Sequence, residues 1–154
     1  MRITAFLAEA NVISNLSVID KADSLKQLCL LLKTNGAIQD SDLAFDALIT
    51  REKLGSTGIG NEIAIPHAKY KDLDQPLGAF AKLSTGVDFG AVDDKQVKFI
   101  FMLLSTDKST TNHLKALARI SRLLTNPKFK VLIEEADSSE RIFEIIKNRD
   151  ESLD

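Results

Sequence analysis

His67 stands in "GNEIAIPHAKY", residues 60–70, directly after a proline and at the close of an apolar run, and it is one of only two histidines in the chain. A neutral imidazole, with a reference pKa near 6.5, is a competent nucleophile around pH 7 without a strong base. Pro66 fixes its own φ and has no N–H, so the backbone just before the imidazole is stiff. The run Ile63-Ala64-Ile65 anchors the segment in a core. These features predict a half-exposed imidazole, rigidly presented at the end of a short strand over 63–65. The plainer alternative is a structural histidine with both ring nitrogens satisfied.

Two other side chains suit the same chemistry. His113 opens a long amphipathic segment, behind the polar run 109–112 that can cap a helix. A helix start favours anions, because its N–H groups are free and its dipole is positive there. A solvent-facing histidine in a first helical turn is the other reading. Arg51, in "ITREKLG", falls at the end of a predicted helix. A cation there is stabilised by the helix dipole, and a planar guanidinium can also grip two phosphate oxygens. Lys53 and Lys69 are expected to be solvated, and Asp107 and Lys108 to be capping or solvent residues.

The glycines between these residues invite a nucleotide reading, which fails on its parts. Gly55 and Gly60 have the G-x-x-x-x-G spacing of a P-loop, but Asn61 and Glu62 follow where Lys and Ser/Thr are needed. The loop also follows a helix and precedes a strand, the reverse of P-loop and dinucleotide order. Two readings stay open. The glycines supply positive φ in a connection, or they leave room for another protein to approach His67. A zinc site needs three or four ligands at recognisable spacing. A Cys–His hydrolase needs an accessible thiolate. The single cysteine, Cys29, sits among leucines and reads as a buried thiol.

Elements must be found to position these groups. "DSLKQLCLLLKTNG" reads as a helix capped by Asp23 or Ser24 and closed by Gly36. "DSDLAFDALITREKLG" reads as a second helix, begun by Asp40 or Ser41, with Leu43, Ala47 and Leu48 as its apolar stripe. Residues 77–84 and 97–105 read as strands, the second apolar enough to be covered on both faces. The segment with His113 reads as a helix with Leu114, Leu117, Ser121 and Leu124 on one face, ended by Pro127. A short helix from 127 and a last one opened by Ser138 or Ser139 follow, with 151–154 frayed. Strands interleaved with helices predict an α/β fold: a mixed parallel/antiparallel central sheet of about five strands, flanked by helices on both faces.

The 154 residues suit one domain, with 44% hydrophobic and 27% charged residues. A net charge of −2 argues against a general nucleic-acid binder. The N-terminus lacks a signal-peptide core, and no stretch approaches 18 apolar residues, so no membrane insertion is expected. A lone cysteine fits a reducing compartment, and a cytoplasmic location is expected.

The stretch "REKLGSTGIGNEIAIPHAK", from Arg51 to Lys69, closely resembles the active-site signature of the IIA type 2 domains of the bacterial phosphotransferase system, the fructose/mannitol/nitrogen-regulatory class. The resemblance continues through "GVDFGAVDDKQVKFIFMLLS" and "HLKALARISRLL", and covers about 11–146. It implies a single domain over 1–154 whose His67 accepts a phosphoryl group from a phosphohistidine on an HPr-like carrier protein. It implies that His113 and Arg51 complete the site, with no cofactor and no metal. The recipient is a IIB domain in sugar-transport members, and in the nitrogen-regulatory branch the phosphorylation state acts on regulatory targets. Asn61 is more similar to that branch than to mannitol members carrying Glu there. The expectation is a free-standing nitrogen-regulatory IIA, with a detached fructose-type IIA as the alternative. A phosphorylation-independent interaction module is the alternative of another class.

Overall fold

The computed structural model describes residues 1–153; Asp154, the end of the segment expected to fray, lies outside the described residues. The five α-helices each begin at a side-chain cap. Helix α1 (Lys21–Thr34) starts at Asp20, whose carboxylate accepts the Asp23 N–H, and not at Asp23 or Ser24, the caps expected from sequence. Asp23 instead accepts the Ile19 N–H at 2.9 Å. Helix α2 (Ser41–Lys53) starts at Asp40, as expected. Helix α3 (Thr110–Leu124) is capped by Ser109 and α5 (Ser139–Glu151) by Ser138. Helix α3 ends before Pro127, as expected, and Pro127 is the first residue of the short helix α4 (Pro127–Glu135), where a missing N–H costs nothing.

Among the described residues the sheet has six strands, parallel and antiparallel mixed, in line with the mixed sheet of about five expected. Strand β1 (Val12–Leu16), unnoticed in sequence, runs parallel to β5 (Leu77–Val87), and β5 pairs antiparallel with β6 (Val97–Ser105). The single strand expected over 63–65 is two strands in one lane beside β6. Strand β3 (Ile63–Ala64) puts Ile63 opposite Phe99, and β4 (His67–Lys69) puts His67 opposite Leu103, both parallel to β6. Pro66 has no N–H for the ladder, so it breaks the lane. Its carbonyl still accepts the Leu103 N–H at 2.9 Å, and the strand resumes at once. His67 therefore begins a strand and does not end one. The short β2 (Gly58–Gly60) pairs antiparallel with β3 at the sheet edge.

Helices cover both faces, as expected. On one face α1 and α2 bury Leu25, Leu28, Leu32 and Leu48 against Ala79, Ile100 and Met102. On the other, α3, α4 and α5 pack Ile120, Leu123, Phe129 and Ile146 against Phe80, Phe99 and Phe101. Strand β6 contributes to both cores, which explains its continuous apolar run. The buried face of α3 is Ala116, Ile120, Leu123 and Leu124, rotated from the stripe expected, and Leu114 is 60% exposed.

The glycine-rich connection is tied to the fold by buried polar bonds. The Glu52 carboxylate, 8% exposed, pairs with Lys21 at 2.8 Å and accepts the Thr57 N–H at 3.2 Å. Ser56 donates to the Phe89 carbonyl at 2.6 Å. A Cβ at Gly58 would lie 2.9 Å from that of Ala91. Asn61 and Glu62, at φ 55° and 71°, form the two-residue connection from β2 to β3, where a tight hairpin wants positive φ at both positions. Gly58 and Gly60 thus admit residues 91–93 against β2.

Candidate functional site

His67, Arg51 and His113 converge on one open cleft of about 640 Å³. Its wall is the outer side of α2, with Leu43, Asp46, Ala47, Thr50, Arg51 and Leu54; its floor is β4; His113 comes from α3 on the other face of the sheet.

His67 is half-buried, and its Nδ1 lies 2.9 Å from the Ile65 carbonyl oxygen. A carbonyl can only accept, so in the neutral ring Nδ1 carries the proton and Nε2 holds the lone pair. The bond spans Pro66, so the proline stiffens the loop that fixes the tautomer. The imidazoles of His67 and His113 have centroids 5.8 Å apart, at 48° to each other.

His113 is held below the ordinary histidine pKa, first by burial and then by the nearby charges of His67 and Lys69. It is therefore neutral at pH 7. Its Nδ1 is buried and has no hydrogen-bond partner among the described residues. Arg51, in the last turn of α2, donates through Nη1 to the Gly55 carbonyl at 2.9 Å. That bond uses one of the five guanidinium donors, and the others remain for an anion in the cleft.

Lys69, expected to be merely solvated, also lines the cleft, and its Nζ sits 3.2 Å from Asp107. Lys108 pairs with Asp74. Of the stripe expected on α2, Leu48 is buried in the core together with Ala44, Ala47 packs partly against that core and also lines the cleft, and Leu43 faces the cleft. The signal for this was present. Leu43, Ala47, Thr50 and Leu54 form a second stripe at helical spacing, beside the Ala44–Leu48 stripe, and a helix with one core face leaves the other stripe outside. Leu54 is 83% exposed.

Cys29 is buried, and burial pushes its thiol up to about 12, so it supplies no thiolate near pH 7. Among the described residues no three His, Cys, Asp or Glu side chains are grouped to hold a metal ion.

Comparison with known proteins gives the family and the fold. The family model of the phosphoenolpyruvate-dependent sugar phosphotransferase system, EIIA 2, matches residues 5–149. The fructose-specific EIIABC component of Bacillus subtilis is 33% identical over 97% of this chain, which spans only 24% of that relative's length. A nitrogen regulatory protein of Bradyrhizobium diazoefficiens is 33% identical over 95% of both chains. The crystal structure of nitrogen regulatory protein IIA-Ntr from Neisseria meningitidis superposes with a TM-score of 0.86 at 30% identity, covering 94% of this chain and 98% of that one.

Proposed function

We propose that this chain, which belongs to the EIIA 2 family of the phosphoenolpyruvate-dependent sugar phosphotransferase system, relays a phosphoryl group through Nε2 of His67. The donor is a phosphohistidine on an HPr-like carrier. The lone pair on Nε2 attacks phosphorus, the bond from phosphorus to the carrier's imidazole breaks, and its electron pair returns to that nitrogen. The ring of His67 becomes positive as the new bond forms. The Nδ1–H donated to Ile65 spreads that charge onto a carbonyl oxygen.

Arg51 grips the equatorial oxygens with its guanidinium fork, and His113, neutral at pH 7, donates a ring N–H to them. Phosphoryl transfer asks a protein for position and charge stabilisation more than for covalent help. The apolar wall of α2 forms the rim on which the carrier docks, in a small and transient interface. Among the described residues no helix is long and apolar enough to cross a membrane, and the proposal places the protein in the cytoplasm as a single relay domain.

The observation that carries this reading is the meeting of His67, His113 and Arg51 in one cleft. It is tested by mixing the protein with a phosphorylated HPr-like carrier and following phosphorus by NMR. A new phosphohistidine signal that is lost in His67→Ala supports it, and transfer that survives in that variant overturns it.

The output we propose is regulatory: the phosphorylation state changes which partner proteins the chain binds, as in the relatives named nitrogen regulatory protein. A second reading, onward transfer to a IIB component for sugar uptake, is favoured by the equal 33% identity to the fructose-specific relative. A IIB acceptor that drains the phosphoryl group from His67 decides for transport. An interaction module indifferent to phosphorylation predicts partner binding unchanged in His67→Ala.

A further inference from the structure

We propose that Lys69 is a second cation for the phosphoryl group, held in reserve by Asp107 and handed over when His67 is charged. The inference rests on the relay reading and adds a mechanism by which the rest of the fold registers the phosphorylation state.

The placement follows from β4. Residues 67 and 69 are two apart in a strand, so their side chains leave from the same face, with Cα atoms about 6.6 Å apart. Ala68 between them points into the core beneath α1 and α2. A flexible four-carbon stem covers that span, so the ammonium can reach a group on His67. In the uncharged protein it lies elsewhere, 3.2 Å from Asp107, with both side chains open to solvent at 61% and 66%. An ion pair this exposed is weak.

A phosphoryl group brings a charge of about −1.5 to −2 to the cleft, more than one carboxylate offers. The field of Lys69 already reaches into the cleft, where it helps to depress the pKa of His113. The ammonium therefore has a better partner on the charged histidine than in Asp107.

The loss falls on a sensitive segment. Asp107 lies in the connection from β6 to α3, two residues before Ser109, the cap of the helix that carries His113. Lys108 in the same connection pairs with Asp74 between β4 and β5. Withdrawal of Lys69 removes one of these two ties and leaves the Asp107 carboxylate unpaired at the rim. A binding partner then meets a changed surface beside the phosphohistidine.

The test compares how the phosphoryl group divides between carrier and protein at equilibrium, in wild type, Lys69→Gln and Asp107→Asn. Loss of the ammonium should move the equilibrium toward the carrier by about 2- to 5-fold. Removal of its competitor should move it the other way, by about 2-fold. The double variant should behave as Lys69→Gln alone.

A purely structural ion pair predicts that both single variants shift in the same direction. That result, or an unmoved equilibrium in Lys69→Gln, overturns the proposal. Failure of the relay reading is seen separately, because wild type then takes up no phosphoryl group at all.

Discussion

The Nδ1 of His67 and the carbonyl oxygen of Ile65 face each other at 2.9 Å across Pro66. The bond assigns the ring proton to Nδ1 and the lone pair to Nε2. The phosphoryl group is therefore expected on Nε2. Nitrogen–phosphorus couplings in the ¹⁵N-labelled, phosphorylated protein check this, and a phosphoryl group on Nδ1 would require that the bond to Ile65 be broken.

Arg51→Lys keeps the charge but removes the planar fork. Charge-assisted hydrogen bonds contribute about 1.5–3 kcal/mol, so the transfer rate should fall by about 10- to 100-fold. Arg51 keeps one bond to the fold, to Gly55. The melting temperature should therefore barely change. A large loss of stability with the rate unchanged would show that the arginine serves the end of α2 rather than the anion.

The depressed pKa of His113 has a definite sign in stability. Above about pH 6.5 the ring is neutral in both folded and unfolded chains and contributes no pH dependence. As pH falls through 6.5 toward the lower folded value, the unfolded chain takes up the proton first, and the native state loses stability. Thermal melts from pH 7.5 to 5 should therefore fall more steeply for wild type than for His113→Gln. Parallel curves would contradict the burial of this ring.

Gly58→Ala separates packing from chemistry. The added Cβ meets Ala91 at 2.9 Å, and a misfit of this kind typically costs about 1–3 kcal/mol. The cleft receives no residue from the glycine-rich segment 55–60, so transfer by the folded variant should stay near the wild-type rate. A variant of normal stability with impaired transfer would support the idea that these glycines clear a path to His67.

Much of this is legible in the sequence alone. The capping aspartate and serines, the apolar run of β6 and the stiff His67 segment announce themselves by residue type, because local physics dictates them. Three features did not. Asp20 and Asp23 are equally good caps in isolation, and the choice is made where Leu25, Leu28, Cys29 and Leu32 must meet the sheet. Strand β1 carries Ser14 and Asn15 amid apolar residues, and its pairing with β5 joins segments more than sixty residues apart. The resumption of the strand at His67 depends on the Leu103 N–H donating to the Pro66 carbonyl, which bridges the step where the proline has no N–H to give.

At the site, the residue types were readable but their convergence was not. His113 reaches the cleft from the far side of the sheet, and only tertiary packing decides which side of α3 faces it. The role of the α2 surface was hidden for a related reason. Leu43 and Ala47 are apolar, and apolar residues at helical spacing read as core until a better-packed stripe on the same helix is seen.

Intact-mass spectrometry tests the central claim most directly. The protein would be incubated with phosphoenolpyruvate, the first enzyme of the relay and its HPr-like carrier. A carrier-dependent gain of one phosphoryl group, acid-labile and absent in His67→Ala, is the predicted result. An unchanged mass while the carrier itself is phosphorylated, or an equal gain in His67→Ala, would contradict the assignment of His67 as the relay histidine.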